Sequence, residues 1–161
     1  RADGVESLHD GVRRAVSAGV EVIAVHGGDE AINRAAIDAG VDLIAHPNRG
    51  SGRSFDHVLA RKAAEEGVAV ELSLAPVLRA SGGERVGAIR DLDELLMLSR
   101  KYGTPFVVSG DPSDHLELRA PRELRALARL VGVEDDEFDR ATEETPRALL
   151  ADDDSSVEVV E

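Results

Sequence analysis

The chain has no cysteine, four aromatic side chains, and only two lysines among its nineteen basic residues. The missing cysteines exclude disulfides and thiolate metal sites. Aromatics at Phe55, Tyr102, Phe106 and Phe138 alone are too sparse for a platform that stacks single-stranded bases. No apolar run approaches the roughly 20 residues a membrane span needs, and the N-terminus lacks the layout of a signal peptide. The expectation is a cytoplasmic protein with no membrane partner, and 161 residues suffice for one hydrophobic core.

A net charge of −13 argues at first against a polyanionic partner. Counted by segment, residues 131–161 alone carry −10, whereas residues 34–90 sum to +1. A basic patch can therefore exist locally while the average hides it. Strong acidity with almost no lysine suggests a halophilic host, where molar salt screens charges beyond about 3 Å. Phosphate affinity falls steeply with salt, so close bidentate arginine contacts are the form of phosphate recognition expected to survive.

Glycine punctuates the chain at Ala18-Gly19-Val20, Ala39-Gly40-Val41, Glu66-Gly67-Val68 and Tyr102-Gly103-Thr104. Each glycine stands where an amphipathic helix would end and a β-branched run begins. Helices are expected near 5–18, 29–39, 55–66, 88–101 and 121–131, with Asp29 and Ser54 as N-caps and Pro121 at a first helical position. Strands are expected near 21–26, 41–46, 68–73 and 105–109. Alternating strands and helices imply a parallel sheet with right-handed crossovers. Four such units fall short of the about eight strands that close a barrel. The first helix precedes any strand and the chain starts at Arg1, so the expectation is an α/β fold with a partial parallel (β/α) barrel, incomplete at its N-terminus, over 1–150. Residues 134–150 should form short acidic helices broken at Thr145-Pro146, and 151–161 a disordered acidic tail.

Ligands meet a parallel β/α fold at the C-terminal ends of its strands. The segment His46-Pro47-Asn48-Arg49-Gly50, continuing through Gly52, Arg53 and Ser54 to His57, places cations in a loop whose backbone amides could meet phosphate oxygens. Arg79 to Arg85 repeats the chemistry after the next strand. Arg119 and Arg122 sit at a helix start, where the dipole favours anions, so they call for a partner, with Glu117 and Glu123 as intramolecular candidates. His26-Gly27-Gly28-Asp29 could bind phosphate through its amides or be an ordinary capped turn, and Arg34 follows on the next helix. A competing reading gathers His26, His46, Glu71 and Asp111 as ligands of a metal-dependent phosphoesterase. Sparse aromatics favour structured RNA, read by shape and backbone.

Four motifs in order, Val25-His26-Gly27-Gly28-Asp29 with Ile32-Asn33-Arg34-Ala35, Asp42-Leu43-Ile44-Ala45-His46-Pro47 with Asp56-His57-Val58-Leu59-Ala60, Pro76-Val77-Leu78-Arg79-Ala80-Ser81-Gly82-Gly83, and Leu118-Arg119-Ala120-Pro121-Arg122-Glu123-Leu124, resemble the archaeal ribonuclease P protein component 3 family. This family is related to the 30-kDa subunit of the eukaryotic enzyme. The resemblance implies a barrel of the polymerase and histidinol phosphatase type, acting as a non-catalytic subunit in 5′-leader removal from precursor tRNA. It further implies catalysis by the RNA subunit with magnesium, no cofactor in this chain, and a smaller protein subunit as partner. RNA or partner contacts then fall to Arg34, Arg49, His57, Arg79, Arg119 and Arg122 at the motif positions, and the chemistry of their loops adds Arg53 and Arg85. The phosphatase relatives' early histidine pair is absent, and where they carry a late Asp-x-His element this chain reads Asp111-Pro112-Ser113-Asp114-His115.

Overall fold

A computed structural model describes residues 4–49 and 54–151. The expected calls on Arg53, on the amides of Gly50 to Gly52 and on the acidic tail from 152 lie outside the described residues. Helix α1 (Val5–Ser17) leads into β1 (Ala24–His26), α2 (Glu30–Asp38), β2 (Leu43–Ala45), α3 (His57–Glu65) and β3 (Ala69–Ser73). Then come α4 (Ala75–Arg79), α5 (Gly82–Tyr102), β4 (Phe106–Ser109), a 3-10 turn at His115–Glu117, α6 (Pro121–Leu130) and α7 (Asp135–Asp139). A π-helical turn at Arg140–Glu144 connects to α8 (Thr145–Ala151).

The four strands form one parallel sheet in sequential order, β1-β2-β3-β4. Val25 pairs with Ile44, Ile44 with Val70, and Glu71 with Val107. Each strand therefore lies beside the one before it, the arrangement of consecutive β/α units in a barrel wall. The glycines after α1, α2, α3 and α5 have φ between 64° and 74°, the left-handed cap conformation that costs a residue with a Cβ energy.

Side chains alternate across β3. Val70 and Leu72 are fully buried in the core with Ile44, Leu59, Leu95 and Leu96, under the helices. Glu71 and Ser73 share the other face and line a cleft. That one strand separates an apolar layer from a polar one is what places chemistry at the sheet's open face.

Four local expectations need correction. Helix α5 starts at Gly82, six residues before the expected 88, although glycines at 82, 83 and 87 are poor helix residues. Packing of α5 on α4 and α3 compensates for their low propensity, so Arg79 and Arg85 flank a helix boundary rather than a loop. The cap of α3 is Asp56, whose carboxylate accepts from the Val58 and Leu59 amides, and not Ser54. Strand β1 is shorter than 21–26 because the Asp42 carboxylate takes the Ile23 amide that a ladder would use. The break expected at Thr145-Pro146 is a π-turn instead, which lets the helix run on despite the amide that proline lacks.

Candidate nucleic-acid interface

In chain order, each described cationic candidate comes in the loop or helix after a strand's C-terminal end. Their surroundings differ. Arg49 in the loop after β2, His57 at the start of α3 and Arg122 in the first turn of α6 are exposed, and their side chains make no hydrogen bond or ion pair among the described residues. Arg34 pairs with Glu30 one turn earlier at 2.9 Å. Arg85 donates to the Ala80 carbonyl at 2.9 Å, and Arg119 to the Leu116 and Leu118 carbonyls. Neither Glu117 nor Glu123 neutralises Arg119 by contact, because Glu123 instead accepts from the Ala120 amide at the start of α6.

Arg79 is exposed but committed to partners within the chain. Its guanidinium forks onto Glu117 at 2.5–3.2 Å and also donates to the Asp111 carbonyl and the Ser113 hydroxyl, both at 2.7 Å. This fork, with the Ser113 amide, holds the Glu117 carboxyl down to about 2. Arg79 thus ties the end of α4 to the loop beyond β4.

Asn33 holds the rim's shape. It is fully buried, and its amide donates to the carbonyls of Pro47 at 2.9 Å and Ser54 at 2.7 Å, while its oxygen accepts from the Gly28 amide at 3.3 Å. Ser54 adds a hydroxyl bond to Pro47 at 2.7 Å. One side chain on α2 therefore fixes both ends of the loop that carries Arg49. Gly27 and Gly28 serve the same packing, since a Cβ at Gly27 would lie 2.2 Å from the Asn33 oxygen and one at Gly28 2.3 Å from the Arg49 carbonyl. Their amides are used, by Ala45 and Asn33 respectively. The phosphate-loop alternative for His26-Gly27-Gly28-Asp29 fails on this ground, and Asp29 caps α2 as an ordinary turn does.

His26, His46, Glu71 and Asp111 do meet at the strand ends. His46 Nδ1 lies 3.0 Å from Glu71 Oε2, its Nε2 lies 3.7 Å from Asp111 Oδ2, and its ring stacks on His26 at 5.4 Å. Ser109 donates to the other Glu71 oxygen at 2.6 Å. Both nitrogens of His46 are thus directed at carboxylates, and His26 presents a ring face, so the four form a linked chain and do not converge on a point. Among the described residues no three histidines, aspartates or glutamates are grouped to hold a metal ion. His46 and Asp111 are also the non-glycine residues with positive φ among those described, 51° and 39°. Such backbone strain concentrates where a fold fixes side chains for use. The sequence pattern marks neither Asn33 as the loop's anchor nor Glu117 as the partner of Arg79, because both links span loops.

A four-stranded parallel β/α wall whose rim carries unpaired cations on a pinned loop defines an α/β protein of barrel type with a candidate anion-binding edge. Residues 5–156 match the family described as RNase P subunit p30, and the chain belongs to that family. It is 52% identical over 116 residues to Ribonuclease P protein component 3 of Haloarcula marismortui, covering 71% of this chain and 49% of that protein. It is 44% identical over 132 residues to the same component of Methanococcoides burtonii, covering 81% and 55%. The chain thus spans about half the length of these relatives. Its fold matches a chain in a cryo-EM structure of archaeal Ribonuclease P with mature tRNA, with a TM-score of 0.78 and 31% identity over 92% of this chain and 64% of that one.

Proposed function

We propose that this chain acts as a non-catalytic, RNA-binding protein subunit of ribonuclease P that supports removal of the 5′ leader from precursor tRNA. The observation that carries the reading is the rim of Arg49, His57 and Arg122, exposed and unpaired at the strand ends in a chain that is otherwise rich in carboxylates. Cations that meet no protein carboxylate are free to replace the counterions of phosphates. Arg34, Arg85 and Arg119 join them, since their present bonds are exposed and exchange with solvent at little cost. Arg79 serves the same surface indirectly by fixing the loop after β4, and Arg53 is assigned to it from its place in the glycine- and serine-rich sequence between Arg49 and His57. Catalysis belongs in this reading to the RNA subunit with magnesium, and the further partner is a smaller protein subunit.

The test is precursor-tRNA cleavage by the cognate RNA subunit in high salt with magnesium, with and without this chain and the smaller protein. Cleavage should rise when RNA and both proteins are combined, and the double variant Arg119→Ala with Arg122→Ala should weaken assembly. If omitting this chain leaves cleavage unchanged, the reading fails.

A further inference from the structure

Strand β3 carries one charged residue, Glu71, among Ala69, Val70, Leu72 and Ser73. Its side chain is 11% exposed. Burying a carboxylate is costly, and apolar side chains of similar volume often replace a buried ion pair without loss of stability. A charge kept at this position therefore calls for a use beyond folding.

The bonds of Glu71 show where that use lies. One carboxylate oxygen, Oε2, accepts from the His46 backbone amide at 3.2 Å and lies 3.0 Å from the His46 Nδ1, so it grips both the main chain and the ring of one residue. The other, Oε1, accepts from the Ser109 hydroxyl at 2.6 Å, which steadies the carboxylate from the end of β4. His46 needs such a grip. Its φ of 51° lies in the left-handed region, where a side chain is disfavoured. It also opens the turn His46-Pro47-Asn48-Arg49, closed by the Arg49 amide donating to the His46 carbonyl at 2.9 Å. Asn33 anchors this turn to α2 through the Pro47 carbonyl, and Asn48 anchors it to α5 by donating to the Asp91 carbonyl at 2.8 Å. Glu71 instead fixes the residue at which the chain leaves β2, and with it the direction in which the turn sends Arg49.

We infer that Glu71 is a positioning residue of the RNA-binding edge, acting through His46 to hold Arg49 toward phosphate. The inference rests on the proposed function and deepens it. A cation presented on a turn already fixed in direction meets a phosphate without first ordering its loop, which is what preorganisation contributes to affinity.

The test measures affinity for the cognate ribonuclease P RNA across a series of salt concentrations, with the smaller protein subunit present. Arg49→Ala should reduce the slope of log affinity against log salt by about 1. Glu71→Leu should reduce it by the same amount, although loss of a negative charge by itself would favour RNA, and adding Arg49→Ala to Glu71→Leu should reduce it no further. Glu71→Gln, whose side-chain carbonyl can accept both His46 bonds, should restore the wild-type slope. Circular dichroism melting separates these effects from unfolding. If Glu71→Leu does not fold, Ser109→Ala carries the test, because it keeps the charge but frees the carboxylate, and its slope should fall between wild type and Arg49→Ala. A wild-type slope in Glu71→Leu or, in its place, Ser109→Ala, an additive loss in the double variant, or no restoration by Glu71→Gln would overturn the inference alone. No RNA affinity in the unaltered chain would overturn the proposed function and this inference together.

Discussion

Arginine does opposite work at the two ends of this molecule. Around α7, four guanidiniums are spent on carboxylates. Arg100 forks onto Glu137 at 2.6–2.8 Å and onto the Gly132 carbonyl, Arg129 onto Asp135 at 2.6–2.8 Å, Arg125 pairs with Asp139 while covering the Phe138 ring at 4.7 Å, and Arg140 meets Asp136. These pairs hold α7 against α5 and α6. On the rim, Arg49, His57 and Arg122 meet no carboxylate among the described residues, in a chain with thirty-two acidic residues. The difference lies in pairing: the arginines beside α7 are neutralised by contact and these three rim cations are not, although Asp111, Asp114 and Glu117 stand in the loop after β4.

The sharpest way to break this contrast is to unpin the rim. Asn33→Ala removes bonds to two carbonyls and leaves that of Ser54 and the Gly28 amide without their side-chain partner in the interior, while the Pro47 carbonyl keeps the Ser54 hydroxyl. A loss on the order of 3 kcal/mol is expected, read as a lower urea midpoint at unchanged m-value. Arg100→Met acts at the other end, leaving the half-buried Glu137 carboxylate without its fork. About 1 to 2 kcal/mol is expected there, and a melting temperature equal to wild type would show that the pair is ornamental.

Acid distinguishes the two ends further. The Glu117 carboxyl is held at about 2 by Arg79, and the carboxyls of Glu137, Asp135 and Asp139 are lowered by Arg100, Arg129 and Arg125. For groups whose folded pKa is depressed, the stabilisation is full above the unfolded value near 4.5 for glutamate and is lost as pH falls toward the folded value. Melting temperature should therefore drop on acidification from about 4.5 toward 2, and Arg79→Met should shrink that drop by removing the cause of the Glu117 shift. The smallest effect on stability belongs to Arg122→Ala, within about 0.5 kcal/mol. Its effect on RNA should be a slope of log affinity against log salt reduced by about 1, and an unchanged slope would remove Arg122 from the interface.

Short-range features were legible in the sequence. The glycine-valine punctuation marks where helices end and buried strands begin because the left-handed cap is a local need, and Asp29 and Pro121 mark helix starts for the same reason. The family motifs place the chain on the right fold. What the sequence conceals is the choice among nearby polar residues and the long-range pairs. Ser54 and Asp56 are equally good caps by type, but Ser54 turns inward to Pro47, leaving the helix to Asp56. Arg79 reads like its neighbours on the rim until the fold brings Glu117 to it from 38 positions away.

Strand order carries one more consequence, for how the chain acquires its shape. Since β1 to β4 pair strictly with their predecessors, no strand must wait for a partner later than the next unit along the chain. Loop closure stays local, paired residues lying 19, 26 and 36 positions apart in successive units, and each closure is rewarded at once by a paired edge and a docked helix. A nascent chain can therefore build this wall progressively as it is synthesised, with the growing edge always the newest strand and the finished units already covered behind it.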